Sequence, residues 1–398
     1  MDINQKMYGL GSKRSVIREI FEYGKARAKE IGADNVFDFS LGNPSVEPPV
    51  QIKQTIKRLL ESENSTVLHG YTSAQGDFNT RKAVAESINR KHALSLDEND
   101  IYMTCGAAAS LSISLKAIVN DGDECIVFAP FFTEYRVFIE NAGAKVVVSR
   151  PEDKTFQINL KDFEDKINPN TKAVIINSPN NPSGVVYSEN IIKKVCELLK
   201  RKSAEFGREI FVIADEPYRE LVYGNVKVPY LMNYYENTLV CYSFSKSLSI
   251  PGERIGYIAV NPAMKERKNV YLAVCGAGRS LGYVCAPSLF QAVIAHCVDL
   301  KSDISAYEEN RNLLYGALVD IGFECVRPDG AFYLLVKSPD ADAVSFCERA
   351  KKYELLFVPC DDFGIEGYVR IAYCVSKEKI TKSIPNFIKL GKEYFTDV

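Results

Sequence analysis

The stretch Cys241-Tyr-Ser-Phe-Ser-Lys-Ser-Leu-Ser-Ile-Pro-Gly-Glu-Arg-Ile-Gly-Tyr257 follows an apolar run and places a lysine, Lys246, among serines, with an arginine, Arg254, eight residues later. A lysine on a sharp turn after a strand can be held against an electrophile and stripped of water. Desolvation disfavours the ammonium and leaves a free amine able to attack a carbonyl. The hydroxyls of Ser243 and Ser245 and the fork of Arg254 are groups that a phosphate dianion recruits. A nucleophilic lysine beside a phosphate clamp suggests a Schiff base with a phosphorylated aldehyde. A surface lysine in a polar loop has the same local sequence, so the rest of the chain decides.

Outward from this stretch, short apolar runs alternate with helical patterns. Asp100–Thr104, Glu124–Ala129, Lys145–Ser149, Lys172–Asn177, Glu209–Ala214, Thr238–Tyr242 and Arg254–Val260 read as strands, and Ala107–Val119 reads as a helix. Strands bounded by turn residues and separated by helices predict a mainly parallel, helix-covered sheet. Near the N-terminus Ile17, Ile20 and Phe21 make one apolar helical stripe, and Phe37–Pro44 reads as a short strand into a turn. Beyond about residue 300 a charged helix is followed by two apolar runs, Gly330–Val336 and Tyr368–Tyr373, which predict a smaller α+β unit.

The chain has 398 residues, more than one compact core usually takes, so two domains are expected. A net charge of −2 gives no reason to expect a polyanionic partner or an anionic membrane surface. No apolar run approaches the roughly 18 residues of a membrane span, and the N-terminus lacks a signal-peptide core. Eleven cysteines lie scattered without a Cys-x-x-Cys pair, the pattern of reduced packing residues in a cytoplasmic protein. His69, His92 and His296 have no ligand-like spacing, so no metal site is expected. There is no Gly-x-Ser-x-Gly elbow of a serine hydrolase.

Further groups with chemistry sit at predicted strand ends. Gly106-Ala-Ala-Ala opens a helix with small residues, so its unpaired amides can seat a phosphate. Asn181, in Asn177-Ser-Pro-Asn-Asn-Pro-Ser-Gly184, lies at the carboxyl end of a strand, where open α/β sheets bind ligands. Asp215, in Ala214-Asp-Glu-Pro-Tyr218, can sit against a pyridine nitrogen and keep it protonated; a helix N-cap is the structural alternative. Tyr218 can reach a ring oxygen. Phe132 can stack on a ring or pack in the core. Arg370 is a cation within an apolar strand, which needs either a substrate carboxylate or an internal acid.

In order along the chain, Gly42-Asn-Pro, Tyr71 with Gly76, Gly106-Ala, Asn181-Pro-Ser-Gly, Asp215-Glu-Pro-Tyr, Ser243-Phe-Ser-Lys, Arg254 and Arg370 resemble the class I/II aminotransferases, fold-type I pyridoxal-phosphate enzymes of the aspartate and aromatic aminotransferase kind. The likeness runs from about residue 15 to 390. It implies an α/β fold with a three-layer large domain around a mainly parallel seven-stranded sheet, over residues 46–289. It also implies a smaller α+β domain built from residues 1–45 and 290–398. Pyridoxal 5′-phosphate is the implied cofactor. Lys246 matches the lysine that forms the Schiff base and then moves the substrate Cα proton. Asp215 matches the partner of the ring nitrogen, Tyr218 and Asn181 the ring-oxygen pair, and Phe132 the stacking aromatic. The amides of Ala107 and Ala108, preceded by Gly106, match the phosphate cup with Ser243, Ser245 and Arg254. Tyr71 matches the tyrosine that reaches the neighbouring subunit's phosphate, which implies a homodimer with shared sites. Arg370 and the backbone at Gly42 match the grip on the substrate α-carboxylate, beside Asn181.

The sequence departs from the family in places. Ala107-Ala108 stand where some members carry Ser, Thr or Lys, and the stacking residue is Phe, not Trp. The partner-subunit arginine that reads a distal carboxylate in one branch has no evident counterpart; Arg18 and Arg279 are candidates. Gly276-Ala-Gly-Arg-Ser-Leu281 mimics the start of a dinucleotide loop but ends on Leu, and reads as a substrate-side loop. The activity implied is ping-pong transamination between an amino acid and a 2-oxo acid. Aspartate, aromatic amino acids and alanine all remain open as donors. A carbon–sulfur β-lyase on the same fold is the nearest alternative, although Asp-Glu-Pro-Tyr leans toward transamination. A non-catalytic cofactor-binding regulator is the second; it would carry a helix-turn-helix extension, which the sequence does not suggest.

Overall fold

The computed structural model describes residues 3–12 and 15–395. The helix Val16–Ile31, capped by Ser15, leads to the two-residue strand β1 (Phe37–Asp38). Seven strands follow: β2 (Ile101–Thr104), β3 (Glu124–Phe128), β4 (Lys145–Ser149), β5 (Thr171–Asn177), β6 (Phe211–Asp215), β7 (Thr238–Ser243) and β8 (Gly256–Val260). They form one sheet in the order β2-β8-β7-β6-β5-β3-β4, in which β8 alone runs against the rest.

Alternation along each strand sends neighbouring side chains to opposite faces. Val174, Val212, Val240 and Ala259 pack with Ile52, Val84, Ile192 and Val293 on one side. Ile175, Ile213, Leu239 and Ile258 pack with Leu111, Leu115, Ile139 and Val274 on the other. Both faces are covered by helices, which is why these strands read as continuous apolar runs rather than alternating ones. The expected three-layer, mainly parallel architecture is therefore present.

The later strands are β9 (Cys325–Val326), β10 (Tyr333–Lys337), β11 (Leu355–Leu356), β12 (Val358–Pro359) and β13 (Tyr368–Ala372). Four make an antiparallel sheet, β12-β13-β10-β9, while β11 pairs in parallel with β1. Their core gathers Phe37 and Phe39 with Leu314, Phe346, Ile371 and Phe387, so the N-terminal strand and the C-terminal segment share one smaller α+β unit. All eleven cysteines are free thiols.

Two sequence expectations are corrected. Gly276–Leu281 is not a substrate-side loop but the end of the helix Arg267–Leu281. A Cβ at Gly278 would overlap the Tyr102 hydroxyl, so this glycine serves close packing, not a turn. The strand expected from Arg254 begins instead at Gly256, because Arg254 takes a left-handed conformation, φ 51°. A left-handed arginine is uncommon and turns the chain sharply just before β8.

Candidate functional site

The carboxyl ends of β2, β5, β6 and β7 fall at one edge of the sheet. Because β8 is antiparallel, its beginning lies at that same edge. A cavity of about 530 Å³ opens there, with Asn177, Asp215, Ser243 and Arg254 in its wall. Open α/β sheets place ligands at this edge.

Lys246 sits on the single helical turn Phe244–Ser247 that follows β7. Its Nζ donates to the Gly42 carbonyl at 2.7 Å and lies 5.2 Å from the centre of the Phe332 ring. Burial lowers its pKa from 10.5 to about 8; Cys374 opposes that shift, and Arg254 and Arg370 add to it. With a pKa of about 8 the amine is about one-tenth deprotonated at pH 7 and half deprotonated at about pH 8, far more than an ordinary lysine, so the reactive form is within reach.

Asp215 ends β6 and is almost fully buried, not a helix cap. One carboxylate oxygen accepts from the Tyr135 hydroxyl. The other, Oδ1, is buried without a hydrogen-bond partner among the described residues. Burial raises its pKa to about 7, with Tyr135 working against the shift and Glu216 adding to it. Asn177 supports this residue by donating to the Asp215 carbonyl at 2.9 Å and accepting from the Asn181 amide at 2.8 Å.

Arg370, in β13, is 2% exposed. Its guanidinium donates to Asn181 Oδ1 at 3.1 Å and to the Ser40 carbonyl at 2.6 Å, while its Nε has no partner. It lies over the Tyr333 ring, 4.6 Å from the centroid. Of the two partners the sequence left open, the internal acid is not found among the described residues. Tyr218 shares a hydrogen bond of 3.1 Å with the Tyr333 hydroxyl. A Cβ at Gly42 would overlap that same hydroxyl, so only glycine lets the chain pass there.

At the other end, Gly106 (φ 91°) precedes the helix Ala107–Ile118, whose first amides have no side-chain cap. A Cβ at Gly106 would stand 2.9 Å from Arg254 Nη2 and 3.5 Å from Ser243 Oγ. Ser243 and Ser245 join their hydroxyls at 2.7 Å. Ala107, Ala108 and Ser245 line the cavity with Arg254. Phe132 lines it too, edge-on to Tyr135 with centroids 5.8 Å apart. Tyr71 does not line it and is 99% exposed. Arg18 lines it, whereas Arg279, exposed on the helix Arg267–Leu281, does not.

Residues 34–385 match the family model "Aminotransferase class I and II". The chain belongs to this aminotransferase family. A probable aspartate/prephenate aminotransferase of Aquifex aeolicus is 30% identical over 92% of the chain and 94% of its own length. An aromatic-amino-acid aminotransferase of Thermococcus litoralis is 28% identical over 95% of the chain and 96% of its own. The crystal structure of an aminotransferase from Eubacterium rectale superposes with a TM-score of 0.97 and 55% identity, covering 99% of both chains. The protein is an aminotransferase, and its cofactor is pyridoxal 5′-phosphate.

The aminotransferase cavity fits that cofactor on its own chemistry. The partnerless Asp215 Oδ1 is an acceptor awaiting a ring N–H. Gly106 leaves space where any side chain would crowd Arg254, and free helix amides flank that space. The readily deprotonated Lys246 amine completes the set. Capture of the cofactor by cofactor-free protein should therefore accelerate as pH rises and level off above about pH 8, followed by stopped-flow absorbance. A midpoint near 10.5, the ordinary lysine value, would refute the desolvated amine.

Sequence reasoning passed over Tyr135, Tyr333 and Asn177. Asn177 and Tyr333 fall within the apolar runs Lys172–Asn177 and Gly330–Val336 and read as strand residues. Tyr135 stands three residues after Phe132, one helical turn on, which was the only available signal.

Proposed function

We propose that this cavity performs ping-pong transamination between an L-amino acid and a 2-oxo acid. The observation that carries the reading is the meeting, in one cavity, of a deprotonatable lysine with a buried carboxylate oxygen that has no partner. Pyridoxal phosphate, when bound, supplies an aldehyde carbon that amines condense with and a ring that withdraws electrons from the substrate Cα. Lys246 is the amine that holds the cofactor and, once displaced by substrate, carries the Cα proton. Asp215 holds a proton on the ring nitrogen, with Tyr135 fixing its second oxygen. Tyr218 and Asn181 hold the ring oxygen and Phe132 covers a ring face. The amides of Ala107 and Ala108, Ser243, Ser245 and Arg254 hold the phosphate, with Gly106 giving the close approach. Arg370, beside Asn181 and the backbone at Gly42, grips the α-carboxylate.

Substrates of aspartate or aromatic type are favoured by the names of the relatives and by the apolar wall of Ile17, Phe21 and Leu41. The full exposure of Tyr71 supports a role across a homodimer interface, reaching the neighbouring subunit's phosphate. We read residues 1–45 and 290–398 as the small domain and 46–289 as the cofactor-binding one. The helix Ser288–Cys297 straddles that boundary and packs Val293 against the large unit. Residues 1–2, 13–14 and 396–398 of the small domain lie outside the described residues. No described helix is long and apolar enough to cross a membrane, in keeping with a cytoplasmic enzyme.

The test is a half-reaction screen, in which single amino acids bleach the absorbance of the holoenzyme and a 2-oxo acid restores it. Release of pyruvate and ammonia from cystathionine without any oxo acid acceptor, and no bleaching otherwise, would replace this reading with the β-lyase.

A further inference from the structure

Ser245, Lys246 and Ser247 share the single helical turn after β7, and the two serines do different work. Ser245 joins its hydroxyl to Ser243 at 2.7 Å, within the phosphate cradle. Ser247 is 2% exposed and does not line the cavity. Its Oγ stands 2.9 Å from the Tyr242 hydroxyl, and that hydroxyl donates to Glu220 Oε2 at 2.8 Å. A phenol has one proton and a carboxylate only accepts, so with the Tyr242 proton on Glu220 the Ser247 hydroxyl supplies the other bond. Burial holds the Tyr242 phenol well above its usual pKa, which keeps it a donor. The ring cannot shift, because it stacks on Tyr257 with centroids 4.9 Å apart and meets Phe244 edge-on at 5.1 Å. Glu220, half-buried, lies on the segment that leaves β6, five residues after Asp215 and two after Tyr218. The chain Ser247–Tyr242–Glu220 thus braces the turn carrying Lys246 against the segment carrying two groups assigned to the cofactor ring.

We propose that Tyr242 is a positioning residue for Lys246, holding its turn through Ser247 at a fixed offset from Asp215 and Tyr218. The inference rests on the proposed role of Lys246 as carrier of the Cα proton. Of the two serines flanking the lysine, Ser245 is committed to the phosphate cradle, so its bonds answer to the cofactor. Ser247 is held from behind the cavity, independently of what the cavity contains. Proton transfer needs the amine within hydrogen-bond reach of its target. A displacement of about 1 Å, caused by a change outside the reacting groups, can cost about 10²-fold in rate. The Ser247 carbonyl has a second hold, the Ser302 amide at 2.7 Å. Loss of the hydroxyl bond therefore loosens the turn without releasing it, and the expected cost is a fraction of that factor.

The experiment compares wild-type, Tyr242→Phe, Ser247→Ala and double-variant holoenzymes, well below their Tm. It measures half-reaction kcat and KM, cofactor affinity, and the visible circular dichroism of the bound cofactor, an achiral ring whose signal reports how the protein holds it. Tyr242→Phe and Ser247→Ala should each lower kcat by about 10-fold, part of the cost of a 1 Å displacement. KM and cofactor affinity should change by less than about 3-fold, within ordinary effects of a small substitution. The double variant should fall no more than about 2-fold below either single one, because both break the same chain. The dichroism of both single variants should differ from wild type. An unchanged kcat, or losses that multiply in the double variant, would overturn the proposal. Parallel losses in kcat and cofactor affinity would reduce Tyr242 to a structural part and overturn it too. If Tyr242→Phe does not fold, Ser247→Ala, which removes one oxygen, decides by the same readouts. A wild-type enzyme bleached by no amino acid, with the dichroism still altered in both variants, would leave this proposal standing and remove the transamination reading.

Discussion

Replacing Lys246 with alanine is expected to lower turnover by about 10⁴-fold or more, at or beyond the upper end of what one positioned proton-transfer group contributes. The size follows from a double duty. On the proposed mechanism the same amine holds the cofactor and, once free, is the base that takes the Cα proton. Among the described residues of the cavity wall no other side chain is placed to replace it: Asp215 is held by Tyr135, Arg254 and Arg370 are hydrogen-bond donors only, and burial raises the Tyr218 pKa well above its usual value. The fold should survive, since the substitution removes a desolvated amine and one hydrogen bond to the Gly42 carbonyl. The variant should still bind pyridoxal phosphate through the phosphate cradle. Single-turnover assays with near-unchanged circular dichroism check this. Activity above about one part in a hundred of wild type would sink the role assigned to Lys246, given the expected factor.

Asp215→Asn is expected to cut kcat by about 10²- to 10³-fold, the cost of losing one preorganised electrostatic partner of developing charge. It should also stabilise the cofactor-free protein, which a merely structural residue would not do. The Asp215 carboxyl titrates near 7 when folded and near 3.8 when free. Between those values the folded state binds more protons than the unfolded one, so this group's contribution to stability falls as pH rises from about 4 to 7, then stays flat. Moving this carboxyl from 3.8 to about 7 corresponds to a penalty of about 4 kcal/mol above pH 7. Asparagine carries no such charge, so the variant's cofactor-free Tm should exceed wild type at pH 8 and match it more nearly at pH 4. Bound cofactor should reverse the order, because a ring N–H neutralises the buried oxygen. Equal pH slopes for the two proteins would refute the buried-charge account.

The large sheet was legible because strands covered on both faces must be apolar throughout, and β4 begins and ends where its run does. The start of β8 was misplaced by two residues because nothing in the sequence marks a left-handed arginine. Gly276 and Gly278 looked like loop punctuation. Only the neighbouring Tyr102 hydroxyl, far away in sequence, explains why Gly278 belongs in a helix. In the site, Lys246, Asp215, Asn181, Arg254 and Arg370 were visible because each is a polar group at the end of, or within, an apolar run. Tyr135 and Tyr333 were not, because a tyrosine's use depends on which buried group its hydroxyl meets. That partner is set by tertiary contact between β6 and the helix Glu134–Ala142, or between β10 and the turn after β6.

The pairing of β7 with β8 has a mechanical meaning. Ser243 and Gly256 are register partners, and the loop between them is closed by Phe244 donating to the Ile255 carbonyl at 3.1 Å. Lys246 and Arg254 both hang on this one hairpin. On the proposed roles, the spacing between a cofactor's covalent tether and its ionic mooring is then fixed by local geometry, like two pegs on one rail. Arg370 stands on β13, in a different sheet, so its position does not enter that spacing.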